Sequence, residues 1–128
     1  MKLLLDTHAL LWWLDGDIQL SLRVRRLIAD TGNDVYVSAA SAWEIATKAR
    51  LGKLPQALGV AHRLAQVVAG QGFRPLDITM EHGQRAGSLA SEHRDPFDRM
   101  LAAQAQLSGM PIATRDPHFS DLSVEIIW

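Results

Sequence analysis

Leu3-Leu4-Leu5 forms an unbroken apolar run near the start of the chain, the pattern of a strand buried on both faces. Asp6-Thr7 ends it with two residues that cap helices well. Apolar positions then recur at helical spacing, which predicts a helix over residues 8 to about 14 and a turn at Asp15-Gly16-Asp17. A second helix follows over 20–29, with Leu20, Val24, Leu27 and Ile28 on one face. Residues 34–38, Asp-Val-Tyr-Val-Ser, are rich in strand formers and predict a second strand. Residues 39–51 predict a helix stopped by Gly52, and residues 56–69 another stopped by Gly70. A third strand is expected over 73–78 and a helix over 79 to about 92. Asp95-Pro96 starts a further helix that runs to Ser108, with Gly109 at its C-terminal end. Residues 111–114 and 123–127 close the chain as short strands. Strands separated by helices imply a three-layer α/β/α fold around a mostly parallel sheet of about five strands. No repeat, low-complexity tract or linker divides the chain, so residues 1–128 are expected to form one domain.

That architecture decides which residues meet. Ligands of open parallel sheets bind outside the carboxyl ends of the strands, and helix N-termini lie along the same edge. Asp6 ends the first strand there, and Asp116 follows the fourth strand after Thr114-Arg115. Glu44 lies early in the helix after the second strand, and Asp98 lies in the first turn of the helix leading to the fourth. Each acid also has a local explanation. Asp6 can cap the first helix, and Ser41-Ala42-Trp43-Glu44 matches a capping box, with Lys48 placed to pair with Glu44 at i+4. Asp95-Pro96-Phe97-Asp98 fits an N-cap with proline at N1 and an acid favoured by the helix dipole, and Asp116-Pro117 is a common turn opener. None of these local roles accounts for four acids arriving at one edge.

Composition changes this picture little. Hydrophobic residues make up 48% and charged residues 21%, an ordinary balance for a soluble globular protein. The run at the N-terminus resembles a signal peptide, but Asp6 and His8 interrupt it, so it is expected to be a core strand and no membrane association is expected. With no cysteine, disulfides, thiolate zinc sites and a cysteine nucleophile are excluded, which fits the cytoplasm. The net charge of −1 argues weakly against nucleic acid. If four of the 14 acids are neutralised by metal ions, the remaining ten face 13 Lys and Arg. Cations cluster at Arg23, Arg25 and Arg26 and at Lys48, Arg50 and Lys53, where solvated helix faces explain them equally well.

Carboxylates about 4 Å apart repel by roughly 4 kcal/mol at an effective dielectric near 20. Four together need protons or cations. Hard, oxygen-seeking divalent ions, Mg²⁺ or Mn²⁺, answer that need, and no histidine pair has the helical spacing of a zinc site. Ions held this way point to phosphodiester hydrolysis.

The same residues carry a resemblance that covers nearly the whole chain. It resembles the PIN-domain ribonucleases, and within them the VapC-type toxins of bacterial toxin–antitoxin pairs. The resemblance rests on Leu3-Leu4-Leu5-Asp6-Thr7-His8, on Ser41-Ala42-Trp43-Glu44-Ile45-Ala46-Thr47-Lys48 with Leu51-Gly52-Lys53-Leu54, on the run from His93 through Asp95-Pro96-Phe97-Asp98-Arg99 to Ala105, and on Thr114-Arg115-Asp116 with Phe119. It implies a five-stranded parallel sheet and Mg²⁺- or Mn²⁺-dependent endonucleolytic cleavage of structured RNA, with Asp6, Glu44, Asp98 and Asp116 as catalytic, metal-holding acids. It also implies a homodimer and inhibition by a cognate antitoxin laid over the helices near the site. Under it Asp95 is a helix cap or supports the acids from behind. Thr114 orients a water or phosphate, and Arg99 or Arg115 meets the scissile phosphate or an antitoxin carboxylate. Trp12 and Trp13 are placed in the partner groove or the core and Trp43 in the core. His8, His62, His82, His93 and His118 receive no role.

Other classes fail on particular residues. A haloacid-dehalogenase-like phosphatase wants a second Asp where His8 stands, and a receiver domain that uses Asp77 wants a lysine after the last strand, where residues 123–128 have none. There is no P-loop, and Gly70-Gln71-Gly72 lacks the setting of a dinucleotide fingerprint. The remaining rival is a PIN-like module that only binds RNA or protein, against which the intact acid set argues.

Overall fold

A computed structural model describes residues 1–128. Its elements are β1 (Lys2–Leu5), α1 (Thr7–Asp15), α2 (Leu22–Ala29), β2 (Asp34–Ser38), α3 (Ala39–Arg50), α4 (Leu64–Gly70), β3 (Arg74–Leu76), α5 (Met80–Ser88), α6 (Pro96–Ser108), β4 (Ile112–Ala113) and β5 (Ile126–Ile127). Single 3-10 segments cover Pro55–Ala57 and Pro117–Leu122. The strands form one sheet in the order β3-β2-β1-β4-β5, every neighbouring pair parallel.

β1 lies at the centre, and the reason is legible in its three leucines, none of which retains accessible surface. Side chains alternate across a strand, so Leu3 and Leu5 enter one core and Leu4 the other. The larger core joins Leu3 and Leu5 to Leu10 of α1, Val24 and Ile28 of α2, Ile45 of α3 and Val68 of α4. The smaller joins Leu4 to Leu101, Ala102 and Ala105 of α6 and to Phe119 and Leu122 beyond β4. Burying a leucine completely is worth about 2 kcal/mol, so β1 alone anchors both layers. The chain lays β2 and β3 on one side of β1 and then crosses to lay β4 and β5 on the other. That reversal opens a crevice at the carboxyl ends of β1 and β4.

Several elements depart from the expected bounds. The helix expected over 56–69 breaks: only Leu64–Gly70 is helical, and 58–62 are turns. Gly59 costs about 1 kcal/mol within a helix, and Leu54 and Ala57 are instead buried against the core by the 3-10 segment. α5 ends at Ser88 rather than near Glu92, because the Arg99 guanidinium takes the carbonyls of Ala86 and Gly87. α3 starts at Ala39 directly after β2, capped by Ser38, whose hydroxyl accepts from Ala40 N at 2.9 Å. The capping box expected at Ser41–Glu44 is therefore not formed, and Glu44 lies in the second turn. Trp43, expected in the core, is 61% exposed. β3 carries Pro75, which the sheet tolerates because β3 is an edge strand. No helix is long and apolar enough to cross a membrane.

Candidate active site

Asp6 stands at the point where β1 ends and α1 begins. Its extended backbone stops the strand, and its carboxylate caps the helix by accepting from Ala9 N at 2.7 Å. β2 ends beside it and passes straight into α3, which places Glu44 over the first turn of α1. Thr7 Oγ1 donates to Glu44 Oε1 at 2.5 Å and lies 3.1 Å from the Ser41 hydroxyl, while Lys48, one turn on, pairs with the other Glu44 oxygen. Both Asp6 and Glu44 are buried.

The other two acids come from the far side of β1. Asp95 caps α6, accepting from Phe97 N at 2.9 Å and Asp98 N at 3.1 Å, and so fixes Asp98 in the first turn as expected. Asp98 Oδ2 meets His93 Nε2 at 2.9 Å. Asp116 caps the 3-10 segment after β4, and its Oδ1 accepts from His118 N and lies 2.9 Å from His118 Nδ1. The His93 and His118 rings stack with centroids 6.0 Å apart, joining the Asp98 and Asp116 sides. Thr114, fully buried at the end of β4, accepts from Asp116 N at 3.0 Å and faces the Asp6 carboxylate, whose charge it favours.

Burial sets the electrostatics. Desolvation pushes the Asp6 carboxyl above its ordinary value, against the Thr114 and Ala9 hydrogen bonds, and the Glu44 charge adds to the rise. Desolvation also raises the Asp98 carboxyl to about 6; His93 opposes the rise, and the charges of Asp95 and Glu44 reinforce it. Asp6 and Asp98 thus both feel Glu44. Even so, no three acidic or histidine side chains are placed to hold one metal ion as they stand. The reason is that each acid is engaged: Glu44 by Lys48, Asp98 by His93, Asp116 by His118, Asp6 by a helix N-terminus. Protein groups supply the compensation that like charges require. The donor set itself, carboxylate oxygens with hydroxyls beside them and no sulfur, fits a hard divalent cation, and such a cation would offset the burial that now raises Asp6 and Asp98.

The histidines correct the sequence reading, which gave them no role: His93 and His118 bond two of the four acids. Their signal was proximity in sequence, one histidine five residues before Asp98 and the other two after Asp116. Arg99 also differs from expectation. All five of its N–H donors go to backbone carbonyls, those of Ala86, Gly87, Leu89, Ser91 and His93, so none remains for a phosphate or a partner carboxylate. Arg115 is exposed and lies over the Trp12 ring, 4.5 Å from its centroid.

A pH dependence follows from Asp98. Between about pH 4 and 6 the native carboxyl keeps a proton that the unfolded chain, with its value near 3.8, has released. Stability of the metal-free protein therefore falls as pH rises through that window and stays lower above it, by about 2 kcal/mol from this group, with Asp6 acting in the same direction. Urea midpoints in EDTA at pH 4.5 and 7.5 should show this decline in the wild type and a smaller one in Asp98→Asn. Equal declines in the two proteins would show that Asp98 is not the source.

The model of the PIN domain matches residues 3–125. Ribonuclease VapC16 of Mycobacterium tuberculosis is 40% identical over 58 residues, a stretch that spans 45% of this chain and 41% of that protein. Among solved structures, VapBC2 from Rickettsia felis bound to a promoter DNA fragment aligns over 100% of this chain and 99% of its own, with a TM-score of 0.71 at 14% identity. FitAcB from Neisseria gonorrhoeae covers 98% of this chain and 96% of its own, with a TM-score of 0.63 at 23% identity. VapC20 of M. tuberculosis, a sarcin–ricin loop cleaving toxin, covers 95% of each chain, with a TM-score of 0.65 at 19% identity. The five parallel strands in their observed order, the acids at the switch-point edge and the match over residues 3–125 lead to one conclusion: the chain belongs to the PIN-domain family.

Proposed function

We propose that this protein is an endoribonuclease that hydrolyses RNA phosphodiester bonds with Mg²⁺ or Mn²⁺ held among Asp6, Glu44, Asp98 and Asp116, and that it is the toxin of a toxin–antitoxin pair. The observation that carries this is the delivery of four acids from four separate elements to one sheet edge, two of them raised by burial. Family membership supports it, as do the ribonuclease name of VapC16 and the toxin description of VapC20. A bound divalent ion supplies the Lewis acidity that phosphodiester hydrolysis uses. The chain's own residues do the rest. The α1 cap and Thr114 fix Asp6, and Thr7 and Lys48 fix Glu44, so neither carboxylate has to reorganise when charge develops. Asp98 Oδ2 and His93 Nε2 lie 2.9 Å apart, a pair that can pass a proton to a leaving oxygen when it carries one.

The cellular setting in this reading is the cytoplasm, with a homodimer held inactive by a cognate antitoxin. An exposed apolar patch supports such contacts: Trp43, 61% exposed, meets Phe97 edge-on at 4.8 Å beside a cleft of about 200 Å³ lined by Ile78, Ala86 and Met100. The VapBC and FitAB complexes among the structural neighbours support an antitoxin partner.

The test is a panel of tRNA and rRNA fragments incubated with purified protein in Mg²⁺ or Mn²⁺ and, in parallel, in EDTA. Discrete internal cuts that EDTA abolishes are expected. Cleavage that persists in EDTA, or none in either metal, would sink the proposal. In light scattering at tens of micromolar the same preparation should show twice the 14.1 kDa chain mass, and a monomeric mass would remove the dimer.

A further inference from the structure

Beside the four acids lies an aromatic and cationic shelf that hydrolysis alone does not require. A cleft of about 320 Å³ is lined by Asp6, His8, Trp12, Arg115, Asp116 and Pro117. Trp12 stands in the second turn of α1, and Arg115 sits between Thr114 and Asp116 just beyond β4, so the reversal of strand order brings them together. Trp12 is hemmed in: the Arg115 guanidinium covers its ring at 4.5 Å, the exposed His8 imidazole tilts against it at 5.6 Å, and Trp128 meets it edge-on at 5.8 Å. Arg115 makes a single side-chain hydrogen bond, to Gln19 Oε1 at 3.3 Å, and pairs with no carboxylate. Arg99 offers the contrast, since its donors are all consumed inside the fold. Arg115 is held against an aromatic face while most of its donors remain open, next to two of the acids.

We propose that this shelf is a subsite for an unpaired nucleotide of the RNA substrate. Arg115 takes the phosphate next to the cleaved one, and the adjoining base stacks on the guanidinium plane and on His8. The inference rests on the nuclease reading and deepens it by naming the state of the RNA that fits. A guanidinium binds phosphate through its planar fork and also stacks, which an ammonium cannot do. Trp12 holds the guanidinium in place before RNA arrives, so little side-chain entropy is lost on binding. A base reaches such a surface only when splayed from its neighbours, as in a loop or single strand, because in a helix its faces are already stacked. The cleft lies at the small end of ligand-site volumes and admits one nucleotide, not a duplex.

The experiment uses the full chain with Ca²⁺ in place of Mg²⁺ and a fluorescein-labelled, mixed-sequence short RNA, either single-stranded or annealed to its complement, read by fluorescence anisotropy. The single strand should bind more tightly than the duplex. Arg115→Ala should lose about tenfold in single-strand affinity. It should also lower the slope of log affinity against log salt by about 0.7, the signature of one phosphate contact on a single strand. Arg115→Lys should keep the slope and recover only part of the affinity. Trp12→Leu should act in the same direction as Arg115→Ala and Trp12→Phe should bind like wild type, with circular dichroism confirming the fold of each. The shelf is overturned if Arg115→Ala binds the single strand as tightly as wild type, or if the duplex binds equally well. In either case metal-dependent cleavage by the same wild-type preparation leaves the nuclease reading standing. A wild type that neither binds nor cleaves either RNA overturns both.

Discussion

Asp98→Asn should lower Mg²⁺-dependent RNA cleavage by about a hundredfold or more while leaving the protein folded and, without metal, more stable than wild type. The side chains are isosteric, and the local frame survives: Asp95 still caps α6 through Phe97 N and Asp98 N, both backbone donors that the substitution does not touch. What disappears is a carboxylate whose ionisation burial already opposes, with its value at about 6. Removing a charge that costs the fold something raises stability at pH 7.5 by about 1 to 2 kcal/mol. A residue present only to complete a helix terminus behaves differently, giving a small loss of stability and no change in cleavage. Single-turnover cleavage assays and urea curves in EDTA separate the two cases. An active variant, or an inactive one that is also less stable, would show that Asp98 serves the fold and not the reaction.

Arg99→Met should lower stability by about 2 to 4 kcal/mol, the largest loss expected from any partly exposed position here. Its guanidinium gathers five carbonyls between Ala86 and His93, at 2.8 to 3.4 Å, and these groups have no strand or helix to satisfy them otherwise. The substitution keeps the aliphatic stem and removes only the fork, so packing is preserved and the loss reports the hydrogen bonds. Arg99→Lys should recover less than half, because three donors on one ammonium cannot reach five carbonyls spread around a plane. The same loop carries His93, so cleavage should fall with stability in both variants. A thermal midpoint within about 2 °C of wild type for Arg99→Met would mean that the loop is held by other contacts.

Residues whose structure is decided by their immediate neighbours were legible in the sequence. Leu3-Leu4-Leu5 before Asp6, and Asp95-Pro96 at the head of α6, announce a buried strand and a capped helix without help from the rest of the chain. So did the edge on which the acids gather, because parallel strands joined by helices leave little choice. The rest depended on contacts distant in sequence. Ser38 and Ser41 are both plausible caps for α3, and only the abrupt end of β2 selects Ser38. The end of α5 is decided by Arg99, more than ten residues downstream. Trp43 was expected in the core, yet it lies exposed against Phe97. The partners of the acids were hidden for the same reason. Lys48 lies one turn from Glu44 and was visible, whereas Thr7 reaches Glu44 across 37 positions.

The central place of β1 has a consequence for the chain as it is made. Leu4 pairs with Tyr36 on one side, but its neighbour on the other side of the sheet is Ile112, far later in the chain, and Asp116 lies beyond that. Domains generally fold as units as the polypeptide emerges from the ribosome. A nascent chain of this protein can therefore carry three of its four acids and still lack the flank of β1 that closes the crevice. A chain cut short before Ile112 therefore lacks β4, β5 and Asp116 together, and one wall of the crevice goes with them.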